Sequence, residues 1–202
     1  MNALNRKLIT GGLSKPSKMP GYAYNLPATE CNVGAKLVQV PGSVCHGCYA
    51  LKGRYRFPNV KEAMHRRLKS IDGPLWVETM AADINARKSK YFRWHDSGDI
   101  QSLAHLKKIF DVCKLTPDVA HWIPTRESGI LSKLGPEEVP ANLTIRLSAT
   151  MVDGNAPKNS WHLTSTVVTE GASCPAPGQG NECKSCRNCW DQSIKNIAYG
   201  KH

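Results

Sequence analysis

Strand-like and helix-like hydrophobic patterns alternate along the chain from residue 21 to residue 168. The strand-like runs are rich in aromatic and β-branched residues, whereas the helix-like runs repeat apolar residues every three or four positions, as at Leu103, Leu106 and Phe110. Strands that alternate with helices usually pair in parallel, so we predict an α/β fold with a parallel sheet, open or closed into a partial (β/α) barrel. The predicted strands cover 21–27, 91–95, 119–123, 142–147 and 161–168, and the predicted helices cover 60–71, 74–87, 100–115 and 130–134.

Polar residues follow three of the predicted strands. Because the carboxyl ends of parallel strands meet at one edge of a sheet, we expect these residues to share a cleft. The alternative is ordinary turn chemistry, since Ser, Asp and Gly are common where strands end. The three sets are Asp96-Ser97-Gly98-Asp99, Thr125-Arg126-Glu127 and Ser148-Ala149-Thr150.

Three cysteines follow the first predicted strand, with thirteen residues between Cys31 and Cys45 and two between Cys45 and Cys48. Glycines and a proline in this loop allow the thiols to fold around one point. Three thiols would leave one corner of a 4Fe–4S cluster without a protein ligand, and an open position is where a metal performs chemistry. The alternative is a structural zinc site completed by His46 or by a remote ligand.

A second group of cysteines lies near the end of the chain, at Cys174, Cys183, Cys186 and Cys189. The stretch has no hydrophobic stripe, so something must hold it together. Its Cys-x2-Cys-x2-Cys spacing favours a second 4Fe–4S cluster over zinc, and four ligands would make it a closed, auxiliary site. Cys113 has no neighbouring thiol in the sequence and is expected to be a buried free thiol.

The composition indicates a basic protein of a reducing compartment. The 202 residues include 27 lysines and arginines against 16 acidic residues, a formal net charge of +11. This balance favours nucleic acid as a partner, although a merely soluble basic protein would show it too. The eight cysteines occur in a chain long enough to bury a core without disulfides, which favours metal binding in the cytoplasm. No apolar run approaches the length of a membrane span, so no membrane contact is expected.

Three regions are expected from these patterns. Residues 1–20 are polar and rich in Lys, Gly and Pro, which predicts a basic flexible arm. Residues 21–170 should form the α/β core with the three-cysteine loop, and residues 171–202 should form a Cys-rich cluster-binding extension.

Several long motifs resemble the phage gene-product-88-like family, and together they extend over nearly the whole chain from Cys31 onward. The resemblance implies a phage-encoded protein that acts in the cytoplasm of the infected host, and it implies no established activity. The motifs are Cys45 to Ala50, Arg54 to Val60, Phe92 to Ser102, Trp122 to Glu127, and the tail through Asp191.

The order of strand, three-cysteine loop, helix, strand and Ser-Gly-Asp turn is more distantly similar to radical S-adenosylmethionine (radical SAM) enzymes. That resemblance implies that the open iron of the cluster binds the amine and carboxylate of S-adenosylmethionine. The sequence departs from the family at the cysteine spacing, which is usually x3 then x2, and at the turn, which is usually Gly-Gly-Glu. The implied cofactor contacts are Asp96, Ser97, Gly98 and Asp99, and the implied contacts with cofactor or substrate are Arg126, Glu127, His95 and Arg146.

Two hypotheses follow from these observations. The first is a radical SAM-like enzyme with two 4Fe–4S clusters, which would need a reductant such as flavodoxin or ferredoxin. The second is a non-catalytic iron–sulfur or zinc protein that binds nucleic acid or a host protein through its basic surface.

Overall fold

A single sheet of six strands organises the computed structural model, which describes residues 1–158 and 161–201. The strands lie in chain order, and every neighbouring pair is parallel, which confirms the predicted α/β class. The first and last strands are the two edges of this sheet. The strands are β1 (Tyr22–Tyr24), β2 (Tyr91–Trp94), β3 (Ala120–Thr125), β4 (Leu143–Val152), β5 (Leu163–Val168) and β6 (Asn196–Gly200).

Helices connect the first four strands. Pro58 occupies the first turn of the third helix, where its missing N–H costs nothing, and the Ser102 hydroxyl accepts the His105 N–H at the start of the fifth. Within the described residues, no helix is long and apolar enough to cross a membrane. The helices are α1 (Ala3–Thr10), α2 (Asn32–Leu37), α3 (Pro58–Ser70), α4 (Trp76–Ala86), α5 (Leu103–Lys114) and α6 (Ser128–Leu131).

The two faces of the sheet have different chemistry because successive side chains on a strand point to opposite sides. On β2, Phe92 and Trp94 belong to the hydrophobic core together with residues of α4 and α5. Arg93, between them, points to the opposite side, which we call the inner face. β4 alternates in the same way, with Leu143 and Ile145 in the core and Arg146 on the inner face.

Aromatic rings fill the centre of the core. Tyr24 on β1 packs edge-on against Trp76 of α4 and against Trp94 of β2, with ring centroids 5.7 and 6.1 Å apart. The Tyr24 hydroxyl donates to the Thr10 carbonyl at 2.6 Å and accepts the Trp76 indole N–H at 3.2 Å. These bonds satisfy the buried polar atoms and attach the first strand to two helices, α1 and α4.

The structure differs from the expected flexible arm at residues 3–10, which form helix α1. The Asn2 side chain accepts the Asn5 N–H at its start, and Gly11 ends it with φ 77°. The Arg6 guanidinium pairs at 3.1 Å with Asp83 of α4, whose carboxylate is almost fully buried. Composition suggested disorder, but this contact orders the segment, and it joins residues 77 positions apart. The boundaries of the core and the extension stay predictions.

Two further differences concern the last third of the chain. β4 continues to Val152, so Ser148-Ala149-Thr150 lies within a strand and does not follow one. β6 was not predicted, because Asn196–Gly200 is short and its apolar residues do not alternate. It pairs with β5 and therefore places part of the expected extension inside the sheet.

Candidate functional site

The three-cysteine loop is attached to the carboxyl end of β4. The Val44 N–H donates to the Thr150 carbonyl at 2.9 Å, and the Val152 N–H donates to the Gly42 carbonyl at 3.0 Å. These bonds form a short antiparallel bridge between Ser43 and Met151. Because β4 is longer than its neighbours, its last residues provide an unpaired edge to which the loop binds. The loop therefore lies at the carboxyl edge of the sheet, as the sequence predicted.

The thiols of Cys31 and Cys45 converge on Gly34. Gly34 lies in α2, and a Cβ placed on it would be 3.0 Å from the Cys31 Cβ, 3.5 Å from its Sγ and 3.6 Å from the Cys45 Sγ. Only glycine leaves this space open, since even a methyl group would contact both sulfurs. Cys48 lies within electrostatic range of both of these thiols, so the three thiols form one group.

The geometry of this group bears on the choice of metal. Within residues 1–158 and 161–201, no three or more His, Cys, Asp or Glu side chains are arranged to hold a single metal ion. Tetrahedral zinc would require its sulfur ligands about 3.8 Å apart, given Zn–S bonds of about 2.3 Å. A 4Fe–4S core binds each cysteine through a different iron, so its ligands lie further apart. The three thiols supply sulfur donors that either kind of site would use.

Charged residues from two strand ends surround the thiols. Burial raises the pKa of the Cys31 thiol well above its ordinary value, and neighbouring Asp99, Cys45, Cys48 and Glu127 raise it further. Burial also raises the pKa of the Cys45 thiol, while Arg126 acts in the opposite direction. The structure thus brings Asp99, Arg126 and Glu127 next to the thiols, as predicted.

Asp99 joins the ends of β2 and β3. Its Oδ1 accepts the Thr125 hydroxyl at 2.6 Å and the Ile100 N–H at 2.8 Å, and its Oδ2 accepts the Arg126 N–H at 2.9 Å. Burial raises its pKa to about 6, although these hydrogen bonds oppose the shift. With three donors already bound, the carboxylate of Asp99 is suited to positioning the strand ends.

Arg126 and Glu127 connect β3 to the elements on either side. The Arg126 Nε donates to the Ala149 carbonyl of β4 at 3.1 Å. The Glu127 Oε1 accepts the Val33 N–H at 3.0 Å, at the amino end of α2, where a carboxylate complements the exposed N–H groups. Glu127 therefore positions the helix that carries Gly34.

Ser97 and Gly98 attach the same turn to β1. The Ser97 hydroxyl donates to the Leu26 carbonyl at 2.8 Å, and the Leu26 N–H donates to the Ser97 carbonyl at 2.9 Å. Gly98 has φ 78°, and a Cβ there would lie 2.6 Å from the Leu26 Cβ. Glycine is required at this position both for its backbone conformation and for the close approach of Leu26.

Asp96 keeps one carboxylate oxygen without a donor. Its Oδ2 accepts the Tyr55 hydroxyl at 3.1 Å and the Asn25 amide at 3.5 Å, and its backbone carbonyl accepts the Tyr49 hydroxyl. Its Oδ1 is buried and has no hydrogen-bond partner among the described residues. A buried acceptor without a partner is costly, so this oxygen is the candidate contact for a positively charged ligand group.

The four cysteines of the tail also form one group, on the inner face of the sheet. Cys183 lies within electrostatic range of the other three tail cysteines, Cys174, Cys186 and Cys189. The Cys189 Sγ lies 3.2 Å from the Tyr199 hydroxyl of β6. Burial raises the pKa of the Cys189 thiol to about 11.

Arg146 holds this tail against the sheet. Its guanidinium donates to the carbonyls of Cys189 at 3.1 Å, Asn188 at 3.0 Å, Asp191 at 2.7 Å and Ile194 at 2.8 Å. The expected contact of Arg146 with a cofactor or substrate therefore does not fit the structure, since its donors are bound by the chain itself. A sequence pattern could not reveal this role, because the partners are main-chain atoms more than forty positions away.

Three other residues lie outside both thiol groups. The exposed His46 donates from Nδ1 to the Val38 carbonyl at 2.9 Å, which orients its ring within the loop. Cys113 is fully buried in the hydrophobic core, as expected. His95 is buried, has φ 55° and packs beside His105, with ring centroids 5.4 Å apart.

Sequence reasoning missed Arg93, Tyr49 and Tyr55. The Arg93 guanidinium lies over the Trp122 ring at 4.5 Å and within electrostatic range of Tyr49 and Cys189, between the two thiol groups. The available signal was a charged residue in the middle of the apolar strand β2. The sequence pointed to the two tyrosines only weakly, through their position shortly after Cys48.

Comparison with known proteins adds a family. No curated protein and no solved structure matches the chain. The model of one family, described as Gene product 88, matches residues 2–192. This range includes both thiol groups and the five strands β1 to β5. The resemblance to the phage gene-product-88-like proteins is thereby confirmed, and the chain belongs to the gene product 88 family.

Proposed function

We propose that this is an iron–sulfur protein with radical SAM-like activity. One observation carries the proposal: the thiols of Cys31 and Cys45 meet beside Gly34, with Cys48 in electrostatic range of both, at the carboxyl edge of a parallel sheet. The other five cysteines lie in the core or in the tail, so no fourth thiol completes this group. A 4Fe–4S cluster held there by Cys31, Cys45 and Cys48 would keep one iron open.

The residues around the loop have separable roles in this proposal. Cys31, Cys45 and Cys48 would hold the cluster, which would supply an electron for reductive cleavage of S-adenosylmethionine. Oδ1 of Asp96 would accept a hydrogen bond from the methionyl ammonium, because among the described residues this buried carboxylate oxygen has no donor. Asp99, Arg126 and Glu127 position the strand ends and α2, while Ser97 and Gly98 fix the turn against Leu26.

The tail thiols would hold an auxiliary 4Fe–4S cluster. Four cysteines leave no open iron, so this cluster would support structure or relay electrons. The Tyr199 hydroxyl beside Cys189 and the nearby guanidinium of Arg93 would offset the negative charge of the thiolates.

Metal analysis of the anaerobically purified full chain tests the proposal. We expect about eight iron atoms and about eight sulfides per chain, for two 4Fe–4S clusters. Cys31→Ser should remove about half of the iron, whereas the matched variant Cys113→Ser should leave the iron content unchanged because Cys113 lies in the core. Stoichiometric zinc with negligible iron would contradict the proposal and favour the non-catalytic alternative.

Electron paramagnetic resonance then tests the open iron. After reduction by dithionite, S-adenosylmethionine should perturb the signal that Cys31→Ser removes, and should leave the signal of the tail cluster unchanged. Slow formation of 5′-deoxyadenosine should follow. Unchanged spectra at saturating S-adenosylmethionine, in protein that holds both clusters, would refute the enzymatic part of the proposal alone.

A further inference from the structure

The segment that follows the three-cysteine loop carries an exposed surface of cations and aromatic rings. Residues 49–70 contain seven lysines and arginines and a single acidic residue, Glu62. Four of these cations, with Tyr49 and Phe57, lie along two consecutive 3-10 turns, Tyr49–Leu51 and Gly53–Arg56, and the first turns of α3. We call this surface the basic rim: Tyr49, Lys52, Arg54, Arg56, Phe57 and Lys61.

In the part of the chain that the structure describes, the cations of the basic rim have no carboxylate partners. Lys52, Arg54, Arg56 and Lys61 are exposed, and none of them forms an ion pair among the described residues. The nearby Glu62 pairs at 3.7 Å with Arg66 instead. Four uncompensated positive charges within ten residues create a local potential that attracts a polyanion.

Two aromatic side chains lie among these charges. Phe57 is 55% exposed and Tyr49 is 46% exposed. An exposed aromatic ring on its own needs no explanation. Rings interleaved with unpaired cations are the combination by which proteins bind single strands, because phosphates pair with the cations while bases stack on the rings.

The basic rim is held in a fixed position next to the three-cysteine loop. The Tyr55 hydroxyl donates to the Asp96 Oδ2 at 3.1 Å, and the Tyr49 hydroxyl donates to the Asp96 carbonyl. The two tyrosine rings pack with centroids 5.7 Å apart. Because these contacts order the segment in advance, binding would cost little conformational entropy.

We propose that the basic rim binds single-stranded nucleic acid. Phosphates would pair with Lys52, Arg54 and Arg56, and a base would stack on Phe57. A duplex keeps its bases stacked on one another and would leave Phe57 without a partner. The proposal goes beyond the iron–sulfur chemistry, since it depends on exposed residues that hold no metal.

Binding of a short fluorescein-labelled oligothymidylate to the anaerobically purified full chain, followed by fluorescence anisotropy, tests this. Arg54→Gln with Arg56→Gln should weaken binding at least about tenfold and lower the salt slope by about 1.4, at about 0.7 per lost phosphate contact. The charge-matched control is Lys90→Gln with Lys195→Gln, which removes two exposed positive charges. Both lysines lie just before the amino ends of β2 and β6, whereas the three-cysteine loop lies at the carboxyl ends of the strands. The control should change affinity less than about twofold.

Phe57→Ala separates recognition of single strands from general affinity for polyanions. It should weaken oligothymidylate binding about tenfold, by removing one base stack, without changing the salt slope. An abasic strand of the same length should bind the unaltered protein more weakly than oligothymidylate does. Its affinity should be the same for the unaltered protein and for Phe57→Ala. Equal losses in the two double variants, or equal affinity for the normal and abasic strands, would overturn the proposal. Iron content is measured in each sample, so loss of a cluster is not mistaken for loss of binding.

Discussion

The indole N–H of Trp94 donates a hydrogen bond to Nδ1 of His121 at 3.2 Å, between neighbouring strands in the core. His121 therefore carries its proton on Nε2, which lies 2.8 Å from the Thr116 hydroxyl. That hydroxyl in turn donates to the Val112 carbonyl at 2.8 Å. The chain of bonds runs in one direction and requires a neutral imidazole, because a second ring proton would displace the indole.

This requirement predicts a pH dependence of stability. Burial lowers the pKa of His121 to about 3, whereas the ordinary value is 6.5. Between these values the unfolded chain binds a proton that the folded chain does not, so stability is present above pH 6.5 and is lost as pH falls towards 3. The loss should approach about 1.4 kcal/mol per pH unit for one group.

Urea unfolding from pH 7 to pH 4 measures this slope. His121→Gln retains an acceptor and a donor but does not titrate, so its slope should be shallower by about one proton. His105→Gln should act similarly, since burial lowers the pKa of His105 to about 3 as well. The control His65→Gln alters an exposed side chain of α3. A slope equal to that of the unaltered protein in His121→Gln would contradict the assignment.

Gly34→Ala should impair metal loading at the three-cysteine loop and leave the tail unaffected. The added methyl group would lie 3.5 Å from the Cys31 Sγ and 3.6 Å from the Cys45 Sγ, in the space between the thiols. We expect the iron content to fall by about half, to the four irons of one cluster. The matched control is Gly129→Ala in α6, where an added Cβ meets nothing within 4 Å. Full iron content in Gly34→Ala would show that no metal group occupies this space.

Asp96→Asn and Asp99→Asn should have opposite phenotypes. Asp96→Asn keeps an acceptor for Tyr55 but removes the negative charge at Oδ1, so it should weaken the spectroscopic effect of S-adenosylmethionine at least about tenfold with little change in stability. Asp99→Asn turns an amide group towards N–H donors and should lower the free energy of unfolding by about 1–3 kcal/mol. Titrations with S-adenosylmethionine and urea unfolding distinguish the two. A cofactor effect that is intact in Asp96→Asn would exclude Oδ1 as the ammonium contact.

Arg146→Met should release the tail from the sheet. The substitution removes the charged donor of three partly buried hydrogen bonds, to the carbonyls of Asn188, Cys189 and Asp191, at about 1–3 kcal/mol for each. Limited proteolysis should then cleave between residues 173 and 195, and urea unfolding should show a loss of at least about 3 kcal/mol. The control Arg56→Met removes an exposed guanidinium and should change stability by less than about 0.5 kcal/mol. A protease-resistant tail in Arg146→Met would show that other contacts hold it.

The sequence predicted the fold class because hydrophobic periodicity is a local signal, and local signals determined β2, β3 and α5 within a few residues. It also predicted the edge at which the loop would lie, since that follows from parallel pairing alone. It could not distinguish Asp96 from Asp99, because their difference depends on Thr125 and Tyr55, which are distant in sequence.

The misses have the same origin. Helix α1 is ordered by the pair of Arg6 with Asp83, and the tail is ordered by Arg146, so both depend on contacts across many tens of residues. Composition describes such segments as polar and poorly packed, which is correct for the isolated segment. Asp83 and Arg146, which order these two segments, come close to them only in the folded chain.

The position of the tail on the inner face has a consequence for synthesis on the ribosome. The Trp190 indole donates to the Phe92 carbonyl at 3.0 Å, across 98 positions of the chain, and its ring packs against Tyr91 and Trp122. At translation speeds of about 5–20 residues per second, Trp190 would be synthesised several seconds after β2 and β3. During that interval the aromatic residues of the inner face are open to solvent and to other nascent chains. Synthesis of the segment around Trp190 therefore ends the interval in which this part of the inner face is uncovered.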